Sequence, residues 1–304
     1  MEFLRNANFD FISKYRKGFL FSGILIVIGL IFLGINGGPN FGIDFRGGVK
    51  IQAKFNRAVT EVELKEKLDS LGFARAKTQV NAEKQEASIS LGYSADFEAQ
   101  AGRKISDGLI EGSADWHALP QGVNVSAVGP SVGKDLKWSA LWSVLSAIVI
   151  LLAYISWRFE FRFAIGAIAA LIHDVLITLG IFAVLSKEIN VPTVAAFLTI
   201  IGYSLNDTIV VFDRIRENTQ TLKGIEYSET LNRSINQSLS RTVITSLTTF
   251  FVVLVIFFLS SSGEEINTFA LALIVGVIVG TYSSMFVASP ILYLWNLKAR
   301  QNAA

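Results

Sequence analysis

The sequence contains no cysteine, which excludes disulfide frameworks, thiol catalysis and cysteine-ligated zinc or iron–sulfur sites. Histidine is almost as scarce, because His117 and His173 are the only two and leave little for a histidine-based metal site. Charge is scarce too: 17% of the 304 residues are charged, 51% are hydrophobic and the net charge is +2. This balance is typical of a membrane protein with one polar insert, and it gives no support to a nucleic-acid partner.

Motifs of membrane proteases and nucleotide hydrolases are missing or incomplete. The G-x-G-D pattern of intramembrane aspartyl proteases is not found around Asp207, where the sequence is SLNDT. Gly202-Tyr203-Ser204 supplies the G-x-S of a membrane serine protease, but the following glycine is absent. Neither an H-E-x-x-H motif nor a P-loop occurs, so neither metalloprotease activity nor ATP hydrolysis is expected. We therefore expect no enzymatic activity, no metal and no cofactor.

Long apolar runs predict six transmembrane helices. The first, 18–35, follows a basic N-terminus and lacks an A-x-A cleavage site, which indicates an uncleaved signal anchor. The second, 138–157, is bounded by Trp138 and Trp157 and would span about 30 Å, the thickness of the hydrocarbon core. The other four are predicted at 163–185, 191–212, 242–259 and 268–295.

The polar segment 36–137 between the first two spans predicts an α+β domain. Apolar and polar residues alternate from 49 to 55, as in a half-buried strand. Thr60 and Glu63 have the spacing of a capping box that opens a helix ending near Leu71. Further strands are predicted near 76–80, 87–91 and 124–128, and a second helix at about 95–111. The resulting order, βαββαβ, is that of a ferredoxin-like domain.

The distribution of positive charge predicts the orientation. With the N-terminus (1–17) and the C-terminus (297–304) inside, the inner segments hold thirteen lysines and arginines, whereas the two short outer turns hold only Lys187. The segment 213–241 is then cytoplasmic and the domain at 36–137 extracytoplasmic. Within 213–241, three apolar residues share one helical face and predict an interfacial helix that leads into the fifth span: Leu231, Ile235 and Leu239.

Asp207 is the main candidate for a functional residue. It lies within the apolar run of the fourth span, six residues before Asp213 and therefore about 9 Å deeper on a helix. A carboxylate there costs roughly 2.5–3.5 kcal/mol, which an ion, a proton or a basic partner must offset. Arg241 begins the fifth span from the same side of the membrane, and its long side chain is predicted to reach the carboxylate.

Polar residues at helical spacing accompany this pair. Thr245 and Thr249 follow Arg241 on the fifth span, and Tyr203 and Asn206 precede Asp207 on the fourth. Two such stripes facing each other would hold water for a proton path. The alternatives are a static buried ion pair or an arginine that extends to the interface.

Two further features have alternative interpretations. His173 and Asp174 lie in the middle of the third span, where they either extend a proton path or form a hydrogen-bonded pair that fixes helix packing. Small residues recur every four positions in the sixth span and predict close helix packing, most simply within the chain: Ala272, Gly276, Gly280, Ser284 and Ala288.

Taken together, these residues resemble the SecD/SecF family of protein-export membrane proteins. The resemblance covers essentially the whole chain, although Arg46 stands where the family commonly has a small hydroxyl residue. Its most specific parts are GIDFRGG at 42–48, VGPSVG at 128–133, LIHDVLI at 171–177, GYSLNDTIVVFDRIRE at 202–217 and SINQSLSRTVITSLTT at 234–249.

The resemblance implies a multi-pass protein of the bacterial inner membrane, with six spans that form half of an RND-type fold. It implies a complex with SecD, and the SecYEG channel, a translocating preprotein and YajC as further partners. In the family the proton-motive force assists the late stage of preprotein export, and the residues that match Asp207 and Arg241 conduct protons. Sodium remains an alternative coupling ion. An RND-type efflux subunit and a non-conducting scaffold remain alternative functions.

Overall fold

The computed structural model describes residues 7–93, 100–222, 224–261 and 264–303. The predicted helix at 95–111 therefore lies partly outside the described residues. In chain order, the elements are α1 (Tyr15–Ile35), α2 (Ile43–Arg46), β1 (Gly48–Phe55), α3 (Glu61–Ser70), β2 (Lys77–Asn81), β3 (Glu86–Gly92), α4 (Ala101–Glu111), β4 (Ala118–Val128), α5 (Pro130–Arg158), α6 (Phe161–Val184), α7 (Val191–Thr221), α8 (Tyr227–Leu259), α9 (Glu265–Ser283), a π-helical turn (Ser284–Ala288) and α10 (Ser289–Ala303).

The polar insert folds as a four-stranded antiparallel sheet, counted over the described residues, with the order β2-β3-β1-β4. Ile51 of β1 lies opposite Ile89 on one side and Val125 on the other. The helices α3 and α4 bury Leu64 and Ile105 against the sheet. This order and the βαββαβ sequence of elements confirm the ferredoxin-like prediction.

Strand β4 starts at Ala118, six residues before the predicted start at 124. Pro120 and Gly122 lie in the added part, and both are unfavourable for a strand on sequence grounds. They are tolerated because β4 is an edge strand and because its register with β1 is interrupted there, between the pairs Ala53–Val123 and Phe55–Ala118.

The predicted capping box is present at the start of α3. The Thr60 hydroxyl accepts from the Glu63 N–H, and the Glu63 carboxylate accepts from the Thr60 N–H at 2.7 Å. The same carboxylate pairs with Arg57 at 2.6 Å. The Arg57 guanidinium, followed by the Thr60 donors, lowers the pKa of Glu63 to about 2. The carboxylate therefore remains charged throughout the physiological pH range.

Six helices among the described residues are long and apolar enough to cross a membrane: α1, α5, α6, α7, α8 and the combined run Glu265–Ala299. Several are longer than predicted. Helix α5 begins at Pro130, eight residues before the predicted start at 138, and α7 continues to Thr221, nine residues beyond the predicted end at 212.

The helix predicted within 213–241 is continuous with the fifth span. The first part of this segment continues α7, and the rest belongs to α8, which runs unbroken from Tyr227 to Leu259 because no glycine or proline interrupts it. The apolar face was predicted correctly: Leu231, Ile235 and Leu239 are buried in the core that the membrane helices share.

The small-residue stripe of α9 packs against α7. A Cβ added at Gly276 would lie 2.2 Å from Ile200, and one at Gly280 would lie 2.9 Å from Ser204. The stripe therefore serves packing within the chain, as predicted. The helix widens into the π-helical turn just before Pro290, where the proline ring would clash with an α-helical carbonyl.

The GIDFRGG segment links the sheet domain to the membrane helices. The Asp44 carboxylate accepts from the Val191 N–H at 2.8 Å, at the first residue of α7. Gly47 and Gly48 have φ values of +76° and +142°, and a Cβ at Gly48 would lie 2.2 Å from the Leu91 carbonyl oxygen. Glycine is therefore required where the chain turns from α2 into β1.

Candidate functional site

Asp207 lies on α7 at the centre of the helical bundle, and 2% of its surface is exposed. The Ser246 hydroxyl of α8 donates to its Oδ2 atom at 3.3 Å. The same hydroxyl lies 2.6 Å from the Thr281 hydroxyl of α9. The carboxylate and its hydrogen-bonded neighbours therefore connect three membrane helices.

Arg241 does not form the direct contact with Asp207 that the sequence suggested. The side chain is exposed, and no ion pair within 4.0 Å joins these two described residues. Arg241 lies five residues before Ser246, which places it about 140° away around α8. Its charge nevertheless attracts the Asp207 carboxylate electrostatically. The hydroxyl of Ser246 occupies the place expected for the guanidinium.

Only some residues of the two predicted polar stripes, on α7 and on α8, lie near Asp207. The Tyr203 hydroxyl, one turn from Asp207 on α7, is buried and has no hydrogen-bond partner among the described residues. The Thr242 hydroxyl, one turn from Ser246 on α8, is in the same situation. Of the other predicted residues, Thr245 donates to backbone carbonyls of its own helix, Thr249 is half-buried and Asn206 is exposed.

His173 and Asp174 form a second, fully buried polar cluster. His173 Nδ1 lies 2.9 Å from Asp174 Oδ1, and His173 Nε2 lies 2.8 Å from the Ser22 hydroxyl of α1. Asp174 Oδ2 accepts from Ser204 of α7 at 2.5 Å and from Ser283 of α9 at 2.9 Å. Both carboxylate oxygens are therefore hydrogen-bonded, and the cluster connects α1, α6, α7 and α9.

Sequence reasoning missed the hydroxyl partners in these two clusters: Ser204 and Ser283 at Asp174, Ser22 at His173, Tyr282 at Ser22, and Thr281 at Ser246. The only signal is a hydroxyl within an apolar span. That signal is weak, because serine and threonine in a helix also donate to the carbonyl four residues earlier, as Thr281 does to Val277.

Family models match two regions of the chain. One, described as "Protein export membrane protein SecD/SecF, C-terminal", matches residues 114–298 and includes both polar clusters except Ser22. The other, described as the SecD/SecF GG motif, matches residues 31–59. The chain belongs to the SecD/SecF family.

Individual relatives agree with this family. The chain is 44% identical over 298 residues to the protein translocase subunit SecF of Calditerrivibrio nitroreducens, covering 97% of this chain and 96% of the relative. It is 39% identical over 284 residues to SecF of Haemophilus influenzae, covering 93% of this chain and 85% of the relative.

Solved structures of SecDF match the fold. The crystal structure of Thermus thermophilus SecDF, described as a translocon-associated membrane protein, superimposes with a TM-score of 0.85 at 34% identity. The match covers 97% of this chain and 39% of that one, so this chain corresponds to a minor part of the longer protein. A SecDF structure in the super-membrane-facing form matches less closely, with a TM-score of 0.69 at 36% identity and coverage of 98% and 40%.

Proposed function

We propose that this chain is the SecF-type subunit of a protein translocase and that, with a SecD-type partner, it uses the proton-motive force to assist the late stage of preprotein export through SecYEG. Membership of the SecD/SecF family supports the export role. The proposal includes the bacterial inner membrane as its location, cytoplasmic termini and an extracytoplasmic sheet domain. The excess of lysine and arginine on the side of the termini supports this orientation.

Asp207 is the proposed site of proton binding. Its carboxylate lies deep in a membrane helix and, among the described residues, has a single side-chain hydrogen bond, at 3.3 Å. A charge at that depth is costly and marks ion or proton pathways. On protonation, the carboxyl group loses its attraction for Arg241 and gains an O–H donor, which permits its hydrogen bond with Ser246 to be rearranged. Because Ser246 also contacts Thr281, this rearrangement reaches α8 and α9 together.

Buried hydroxyls beside Asp207 support a hydrated path to it. Tyr203 lies one helical turn towards the sheet domain, and Thr242 precedes Ser246 by one turn towards the termini. Buried polar atoms without a protein partner are usually hydrogen-bonded to water. Tyr203, Thr242 and the exposed Arg241 together would allow protons to approach Asp207 from both sides of the membrane.

Contacts between the sheet domain and the membrane helices supply a route from Asp207 to the outside. Lys50 of β1 pairs with Glu265, the first residue of α9, at 3.5 Å. Ser261, in the turn before α9, donates to Glu86 of β3, and Lys84 donates to the Leu259 carbonyl at 2.7 Å. A shift of α8 or α9 at Ser246 and Thr281 would therefore act directly on the sheet.

The energy available from one proton suits this role. One elementary charge moved through the membrane potential yields about 2.3 kcal/mol per 100 mV. That is enough to shift an equilibrium between two domain positions by one to two decades.

The partners follow from the same proposal. A SecD-type subunit would supply the remaining part of the longer SecDF chain. Large apolar side chains of α5 and α8 are exposed in this chain, among them Trp142, Ile150, Phe251 and Phe258, and they are available to lipid or to that subunit. The SecYEG channel, a translocating preprotein and YajC are the other proposed partners.

The test is preprotein export into inverted membrane vesicles that contain this chain, its SecD-type partner and SecYEG. We expect Asp207→Asn to assemble normally and to lose the part of export that depends on the proton-motive force. Asp213→Asn is the matched control, because Asp213 lies on the same helix, has a side chain that is 43% exposed, and pairs with Arg216 at 3.1 Å and with Arg158 at 3.6 Å. Its export should be retained.

Full stimulation of export by the proton-motive force in Asp207→Asn would contradict the proposal. Unchanged export together with increased drug sensitivity would instead favour an efflux subunit. Unchanged export and unchanged drug sensitivity would favour a scaffold.

A further inference from the structure

A cavity of 530 Å³ lies between α5, α6, α7 and the segment that precedes α2. It is at the end of the membrane helices that carries the sheet domain. Its lining is almost entirely apolar and includes Phe41, Phe45, Leu141, Val144, Leu179 and Phe197. A volume of this size is typical of sites that bind small molecules.

The cavity extends from the membrane boundary into the apolar region. Trp138, at its mouth, is 54% exposed, as is typical of tryptophan at a membrane interface. Val144 lies six residues further along α5 and therefore about 9 Å deeper. The apolar surface of α5 is mostly uncovered by the rest of the chain, so the cavity opens sideways, towards lipid.

Two lysines stand at the mouth of the cavity, Lys134 and Lys137, three residues apart on one face of α5. The Lys137 Nζ atom lies 4.5 Å from the centre of the Phe41 ring. Within the described part of the chain, neither lysine has a carboxylate within 4.0 Å. Asp135, which lies between them in sequence, does not line the cavity. The mouth is therefore positively charged.

We propose that this cavity binds an anionic phospholipid, with an acyl chain in the apolar space and the phosphate between Lys134 and Lys137. Charge complementarity favours an anionic head group over a zwitterionic one. The apolar lining favours an acyl chain over a polypeptide, because a peptide backbone in this cavity would have almost no hydrogen-bond partners.

Native mass spectrometry of the chain with its SecD-type partner tests the proposal. Detergent-solubilised complex is titrated with phosphatidylglycerol, with phosphatidylcholine or with glycerol phosphate. We expect bound phosphatidylglycerol, little bound phosphatidylcholine and no competition by glycerol phosphate, since the acyl chain supplies most of the binding free energy.

The double substitution Lys134→Gln and Lys137→Gln should weaken phosphatidylglycerol binding by about 5-fold for each lysine. Lys187→Gln is the matched control, because this lysine is at the same end of the bundle and outside the cavity.

A second variant tests the apolar part separately. Ala140 lines the cavity and is partly buried, so Ala140→Trp fills the space without changing the charge. It should also reduce phosphatidylglycerol binding. Equal binding in the wild-type protein and both variants would overturn the proposal, and so would equal binding of the two lipids. Binding by the isolated chain that is lost in the complex would also overturn it, because the partner subunit would then cover the cavity.

Discussion

At the scale of single residues, the two buried carboxylates differ in how completely they are hydrogen-bonded. Asp174 accepts from Ser204 and Ser283 and contacts His173, so both of its oxygens have partners. Of the side chains that the structure describes, only Ser246 donates to Asp207, at 3.3 Å. A saturated network of this kind fixes helix positions, whereas a sparsely bonded carboxylate can exchange partners at little cost. We therefore propose that Asp174 serves packing and that Asp207 binds the proton.

Substitution of Asp174 tests this assignment. Asp174→Ala would leave His173, Ser204 and Ser283 without their acceptor in a buried site, at a cost of about 3 kcal/mol or more. Thermal unfolding of the full chain in detergent measures this loss. Asp174→Asn keeps an acceptor oxygen, so it should lose less stability and retain proton-driven export. Normal assembly combined with abolished export in Asp174→Asn would instead place Asp174 on the proton path.

Sequence reasoning could identify these carboxylates because a charged residue within an apolar span is rare. It could not establish that Ser246, rather than Arg241, contacts Asp207. Which side of α8 faces α7 depends on the rotation of a whole helix, and that rotation is set by packing along all 33 residues of α8. The same limit applies to Ser22, which contacts His173 although the two residues are 151 positions apart in the sequence.

At the scale of helices, the contact between α7 and α9 rests on small residues. Gly276 meets the buried side chain of Ile200, whereas a Cβ added at Gly202, on the exposed side of α7, would have nothing within 4 Å. The two glycines therefore allow a matched comparison of the same substitution in a crowded and in an open position.

Gly276→Ala should destabilise the protein by about 1–3 kcal/mol, because the added methyl group displaces Ile200 or separates the two helices. Gly202→Ala should be neutral or stabilising by up to about 1 kcal/mol, since alanine favours the helix and meets no neighbour. Thermal unfolding of the two variants under identical conditions measures the difference. Equal stability of the two variants would show that the close approach of α7 and α9 is not required.

Helices were predicted more reliably than their ends. Six apolar runs and one capping box carry strong local signals, and the structure contains the corresponding elements. The polar ends of α7 and α8 carry none, because a helix that leaves the apolar layer continues for as long as its backbone hydrogen bonds and packing allow. The start of α5 carries one signal, Pro130 in the first turn, which the prediction did not use. The length of strand β4 was underestimated for a related reason. The strand tolerates Pro120 because it lies at the edge of the sheet, and its edge position is a property of the whole sheet and not of the local sequence.

At the scale of the whole molecule, contacts of the described residues join the sheet domain to the start of α7 and to the α8–α9 turn. Asp44 holds the start of α7, and Lys50 and Glu86 hold the α8–α9 turn. These are the three helices that meet at Asp207, Ser246 and Thr281. A change at the carboxylate can therefore reach the sheet through rigid helices, without a separate pathway of side chains.

The most direct test of this account is ion current through proteoliposomes that contain this chain and its SecD-type partner. Under an imposed proton gradient, we expect a current in the wild-type protein and in Asp213→Asn, and none above background in Asp207→Asn. A sodium gradient of the same size identifies sodium as the coupling ion if it alone drives current that Asp207→Asn abolishes. An undiminished current in correctly assembled Asp207→Asn would contradict the central claim that this buried carboxylate carries the coupling ion.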